Sequence, residues 1–220
     1  IPTTDRSAVG ALIKMDDFVD VIIPRGGKSL IERVSNESRV HVIKHLDGIC
    51  HTYIHESADP RISEKVVVNA KMRRPGICGA TETILCDKGI LKTHLSNLIK
   101  SLESLGCEVR GDKQVKKIYP FVTHANKKDW ATEYLDKKIS IKTINEGVDE
   151  AVKHINFYGS GHTDAIISKD KKIAEYFLNN IDSGIVMHNT STQFADGGEF
   201  GMGAEIGIST SKVHARGPVG

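Results

Sequence analysis

One cysteine stands in a setting that favours nucleophilic chemistry. Cys78 lies within Arg73-Arg74-Pro75-Gly76-Ile77-Cys78-Gly79-Ala80-Thr81-Glu82-Thr83. Two arginines nearby raise the positive potential that stabilises a thiolate, the attacking form of the side chain. Pro75 and Gly76 place it on an irregular turn, and Gly79 lets a substrate approach the backbone, where its amide would meet an oxyanion. Cys50, Cys86 and Cys107 lack that context, and Cys86 and Cys107 adjoin apolar runs expected in the core. A second candidate is the run from Ser191 to Gly201, whose small polar residues and glycines offer hydroxyls and amides to an anion. It reads equally as an ordered polar surface loop. Gly26-Gly27-Lys28-Ser29 resembles the end of a triphosphate-binding loop, but the first glycine of that pattern falls on Ile22, so a tight strand-to-helix turn is the favoured reading. His45, Cys50, His51 and His55 are chemically able to hold a metal, yet their spacing matches none of the usual zinc patterns, and no metal is expected.

The composition narrows what surrounds these groups. Lys plus Arg total 30 against 28 for Asp plus Glu, a formal net charge of +2 over 220 residues, which argues against an electrostatically driven nucleic-acid binder. Hydrophobic residues at 39% and charged residues at 26% are those of a soluble globular chain. No apolar run approaches the roughly 18 residues of a membrane helix, and no signal-peptide pattern opens the chain. Scattered cysteines without such a signal are expected as reduced thiols in a cytoplasmic protein.

The elements that must position the thiol alternate between strand and helix. A short helix over 5–15 precedes a buried strand, Val19 to Ile23, closed by Pro24-Arg25-Gly26-Gly27. A helix from Lys28 to about Asn36 and a strand from Val40 to Ile43 complete one βαβ unit. Further strands are read at 52–54, 82–85, 107–109, 139–141, 165–167 and 185–187. Helices are read from Asp59-Pro60 to about Ala70, over 88–105 with Gly106 as its stop, over 148–157 and over 171–180. Residues 111 to 130 read as polar and irregular, and 189 to 207 as a functional loop. The fold class is α/β.

Several stretches go beyond generic chemistry. Asn69 to Cys78 followed by Ala80-Thr81-Glu82-Thr83 closely resembles the active-site segment of the γ-glutamyl phosphate reductase family, in the aldehyde dehydrogenase superfamily. Ile22 to Gly27, His45 to His51, Trp130 to Tyr134, Tyr158 to Asp164, and Phe194 through His214-Ala215-Arg216-Gly217-Pro218 match the same family in order, across the whole chain. The resemblance implies a three-layer, parallel-sheet catalytic domain over 49–220, preceded over 1–48 by the last βαβ unit of a Rossmann-like NADP-binding domain. It implies NADPH-dependent reduction of L-glutamyl 5-phosphate to L-glutamate 5-semialdehyde in proline biosynthesis, through a thioester on Cys78. It implies Gly26, Gly27 and Glu133 facing the cofactor, Gly79 supporting the oxyanion, and Asn189, Ser191, Thr192 and Phe194 meeting the substrate. A small-molecule substrate, a homo-oligomer, and a glutamate 5-kinase supplying the labile acyl phosphate are the partners implied, with no nucleic acid and no membrane.

Three departures from the family pattern bear on these expectations. Gly79 stands where many relatives carry Asn, and Gln193 where Arg is common, which removes a bidentate anion clamp. The long N-terminal region and the C-terminal strand of relatives have no counterpart, so the chain looks truncated at both ends. A competing reading is therefore a non-catalytic remnant, or a subunit that pairs with a separately encoded half.

Overall fold

A computed structural model of the chain describes residues 2–44, 47–210 and 216–217. His45 and Leu46, together with His214, Ala215 and Pro218, carry part of the family resemblance and lie outside the described residues, as does His45 of the histidine cluster.

The chain opens with α1 (Ser7–Leu12), β1 (Val21–Ile22), α2 (Lys28–Glu37) and β2 (His41–Val42). β1 and β2 pair in parallel as a two-stranded sheet, Val21 opposite His41, with α2 as the crossover. The strand read over 19–23 shortens to two residues, because Phe18 and Val19 belong to a turn whose amides both return to the Met15 carbonyl.

Past this unit the chain builds one larger sheet. Its elements are β3 (Cys50–Ile54), α3 (Pro60–Met72), β4 (Thr81–Asp87), α4 (Leu91–Ser104), β5 (Glu108–Gly111), α5 (Lys113–Ile118), β6 (Thr123–His124), β7 (Lys138–Ile144), α6 (Val148–Tyr158), β8 (Thr163–Ile167), α7 (Lys171–Asn180) and β9 (Ile185–His188). The seven strands lie in the order β6-β5-β7-β4-β3-β8-β9, all parallel. β3 and β4 are buried along their whole length, as central strands covered on both faces must be. Their side chains alternate between two cores. Ile54, Ile84, Cys86 and Ile141 meet Val67 of α3, Leu95 and Leu98 of α4 and Val115 of α5. Tyr53, Leu85 and Ile166 meet Ala151 and Ile155 of α6 and Phe177 of α7 on the other side. This is a helix–sheet–helix sandwich, so the α/β expectation and its three layers hold.

The apolar stripe of α4 packs as its spacing predicts, and Gly106 follows it at φ +80°, the left-handed position that closes a helix. Residues 111–130 differ from expectation. They contain α5, β6 and a helical turn at Asp129–Ala131. Asp112 accounts for the difference. Its carboxylate accepts from the amides of Gln114 and Val115, capping α5, and from the amide and hydroxyl of Thr143 on β7. Asp112→Ala is expected to cost about 2 kcal/mol, since it removes a cap and strands buried donors. A lower urea midpoint at unchanged slope is the readout.

Candidate active site

Cys78 rides on the segment that joins α3 to β4, and that segment is clamped at both ends. Lys71 in the last turn of α3 reaches Glu82 on β4, Nζ to Oε2 at 2.7 Å, with neither side chain exposed. The other oxygen of Glu82 accepts from the Leu135 amide at 3.4 Å, so the same carboxylate ties down the segment that carries Glu133. Burial pushes the Glu82 carboxyl up to about 7 even though the Lys71 ammonium pulls it down. Between the clamps, the Ala80 amide returns to the Ile77 carbonyl at 2.9 Å and forms the turn that presents the thiol.

The loop after β9 is the floor of this turn. Thr192 is buried and its hydroxyl donates to the Gly79 carbonyl at 2.6 Å. Gln193 donates from Nε2 to the carbonyls of Ala70 (2.9 Å) and Arg74 (3.3 Å), fastening both sides of the segment. Gln193 thus has a constructive role that the comparison with an arginine did not suggest. Its Oε1 is a buried acceptor with no hydrogen-bond partner among the described residues.

Cys78 borders two cavities. One, of about 340 Å³, is bounded by Arg73, Arg74, His162, Gln193, Glu199 and Glu205 among others. The second, of about 580 Å³, is bounded by Gly26, Gly27, Ile31, Gly76, Glu133 and Leu135 among others. Gly27 is the N-cap of α2, so a helix N-terminus opens beside this second space. Glu133 is anchored there by the Gly48 amide, which donates to its Oε1 at 2.8 Å.

The electrostatics depart from the expectation that Arg73 and Arg74 promote the thiolate. Burial pushes the Cys78 thiol up to about 11, and the Glu133 and Glu205 carboxylates add to the rise. The backbone amide of Cys78 and the Arg25 guanidinium work the other way. Arg73 is engaged elsewhere, 2.6 Å from Glu199 and with its guanidinium 5.1 Å from the Phe194 ring centre.

Other predicted residues take supporting positions. Asn189 does not border either cavity, against the expectation that it meets substrate. It is exposed at φ +55°, and its side-chain amide is spent on Ser168, accepting from the amide at 2.9 Å and donating to the carbonyl at 3.0 Å. Ser191 is buried and caps the turn Thr192–Phe194 by accepting from the Gln193 amide. Phe194 is half-buried under Arg73. Glu199, within the run from Ser191 to Gly201 read as a site candidate, is part of the cavity wall, while reasoning from sequence missed Glu205 as a neighbour of the thiol and His162 as part of the wall. The proposed histidine cluster disperses. Cys50 turns to Cys78, His51 to Asp164 and His55 to Ser57. Among the described residues no group of three or more His, Cys, Asp or Glu could hold a metal, and no helix is long and apolar enough to cross a membrane.

Known proteins match the chain along its whole length. No family model matches. The γ-glutamyl phosphate reductase of Rhodospirillum rubrum is 59% identical over 220 residues, which are 100% of this chain and 51% of that protein. The crystal structure of γ-glutamyl phosphate reductase from Thermotoga maritima superposes with a TM-score of 0.97 at 44% identity, over 100% of this chain and 53% of that one. An acetylating aldehyde dehydrogenase from Geobacillus thermoglucosidasius, at 20% identity, shares the fold with a TM-score of 0.69 over 95% of this chain and 54% of that one. The chain spans about half the length of the curated relatives it matches. With the thiol turn, its clamps and the parallel sheet all in place, the chain is similar along its whole length to γ-glutamyl phosphate reductases, about half of whose length it spans, and it has the fold of the aldehyde dehydrogenases.

Proposed function

We propose that this chain provides the thiol-bearing part of a reductase that converts L-glutamyl 5-phosphate to L-glutamate 5-semialdehyde and phosphate, with NADPH as reductant, in proline biosynthesis. The observation that carries the reading is the position of Cys78 between two cavities of different chemistry. One has arginines and acids for a charged amino-acid derivative. The other has glycines, a helix N-terminus and a glutamate, which suits a nucleotide cofactor. Residues 1–48 are read as the end of the cofactor-binding domain and 49–220 as the catalytic domain.

As thiolate, Cys78 attacks the acyl carbon, the bond from that carbon to the phosphate oxygen breaks, and a thioester remains. The backbone amides of Cys78 and Gly79 are the donors assigned to the oxyanion that forms on the way. NADPH, when bound, supplies the hydride that releases the aldehyde. Gly26, Gly27 and Glu133 border the space that would hold its nicotinamide end, and about 580 Å³ is room enough for that part of a dinucleotide. Ser191 and Thr192 serve the substrate indirectly, by holding the turn that carries Gly79. The unpartnered Oε1 of Gln193 offers an acceptor to the substrate's ammonium group. A kinase that makes the acyl phosphate, a homo-oligomeric assembly and a cytoplasmic setting for the free thiols complete the proposal.

Arg74 borders the first cavity and is read as the cation for an anionic group of the substrate. Arg74→Met is expected to raise KM about tenfold with kcat little changed, the mark of lost ground-state binding. The reading itself is tested by mixing the chain with NADPH and enzymatically generated glutamyl phosphate. Intact-mass analysis is expected to show one glutamyl unit on Cys78 before NADPH is added, and its loss as aldehyde afterwards. A chain that neither acquires the acyl group nor binds NADPH overturns the proposal and favours the non-catalytic reading.

A further inference from the structure

Gly48, just before β3, passes against the backbone of the nucleophile. A Cβ on Gly48 would overlap the Cys78 carbonyl oxygen and lie 2.6 Å from its Cα and 2.7 Å from its carbonyl carbon, so only glycine permits this approach. Two residues on, the fully buried Cys50 donates from Sγ to the same Cys78 carbonyl oxygen at 3.1 Å. The strap is fastened on either side. The Gly48 amide holds Glu133, the Ile49 amide donates to the Ser160 hydroxyl at 3.0 Å, and the Cys50 sulfur lies 3.7 Å from His162 Nδ1.

That carbonyl matters because of the peptide it belongs to. The C=O of Cys78 and the N–H of Gly79 share one planar trans unit and point in opposite directions. Fixing the oxygen therefore fixes the direction of the Gly79 N–H. Thr192 fixes the next carbonyl, that of Gly79, so successive peptide planes of the turn are each held by a buried donor.

We propose that Cys50 is a positioning residue for acyl transfer: its thiol, with the close approach that Gly48 permits, sets the Cys78–Gly79 peptide plane and so aims the Gly79 amide at the oxyanion. This rests on the reading of Cys78 as nucleophile, but not on the identity of the acyl substrate. It also gives a purpose to a buried cysteine that the mechanism does not otherwise use.

The test separates two reactions of one sulfur. Acylation of Cys78 by p-nitrophenyl acetate passes through an oxyanion, whereas alkylation by iodoacetamide does not. Both rates are followed at the Cys78 peptide by mass spectrometry. Cys50→Ala is expected to slow acylation about ten- to a hundredfold, as misdirecting an oxyanion donor should, while alkylation changes by less than about threefold. Cys50→Ser, which keeps a donor, is expected to recover most of the acylation rate. Equal losses in both reactions, no loss in acylation, or wild-type acylation that does not occur at Cys78 would each overturn the proposal. If acetylation behaves as expected but glutamyl phosphate fails to acylate the chain, the substrate assignment falls and the positioning role of Cys50 stands.

Discussion

Lys71→Met is expected to destabilise the chain by about 3–5 kcal/mol, several times the effect of removing an exposed lysine. The ammonium and the Glu82 carboxylate are both fully buried, 2.7 Å apart. Removing one partner leaves the other without compensation in a region of low polarity. Burial already lifts the Glu82 carboxyl from an ordinary 4.5 to about 7 while Lys71 holds it down, so the variant drives it higher still. The sign with pH follows. A carboxyl raised in the folded state binds its proton more tightly there than in the unfolded chain, so stability falls as pH rises from 4.5 through about 7. Without Lys71 that fall continues to higher pH, and the deficit of the variant is larger at pH 8 than at pH 6. Urea unfolding at the two values measures it. Lys71→Met combined with Glu82→Leu removes both charges and is expected to regain most of the loss. A single variant within about 0.5 kcal/mol of the parent, the range of an ordinary surface change, would show that the pair does not hold the Cys78 segment in place.

The parts of this architecture legible in the sequence are those whose cause is local. α4 carries a clean apolar stripe, so hydrophobic periodicity located it, whereas β4, half polar in sequence, was read only over 82–85 of the buried strand Thr81 to Asp87. α5 escaped because Lys113-Gln114-Val115-Lys116-Lys117-Ile118 offers only two apolar positions, and its stability comes from the Asp112 cap and from Val115 fitting a core built by distant strands. The same division runs through the site. Cys78 with its flanking Pro75, Gly76 and Gly79 is a local pattern, and it was readable. That Arg73 is committed to Glu199, that Asn189 turns to Ser168, and that Glu205 faces the thiol are consequences of chain crossings, which no spacing rule encodes. Charges near in sequence were therefore a poor guide to the field at the sulfur, where Glu133 and Glu205 outweigh the arginines of the same segment.

That field sets the second large effect. Alkylation of Cys78 by iodoacetamide is expected to rise about tenfold per pH unit from pH 8 to pH 10, since only the thiolate reacts and the thiol is pushed up to about 11. At pH 8 roughly one sulfur in a thousand is ionised on this basis. Cys78→Ser is expected to remove acyl transfer altogether while leaving the unfolding midpoint close to the parent's, because an unactivated hydroxyl in the same half-buried setting is a far weaker nucleophile. Glu205→Gln gives the sign check. It deletes a negative neighbour that raises the thiol, so the profile moves to lower pH and the rate at pH 8 increases severalfold. A substrate whose binding places Arg25 closer to the sulfur, or draws Glu205 away from it, would act in the same direction. Burial and the two carboxylates are thus expected to keep the resting thiol slow to react until the site is filled. A profile that is flat above pH 8 would show instead that the thiol is already ionised, and would return Arg73 and Arg74 to the role their position beside Cys78 first suggested.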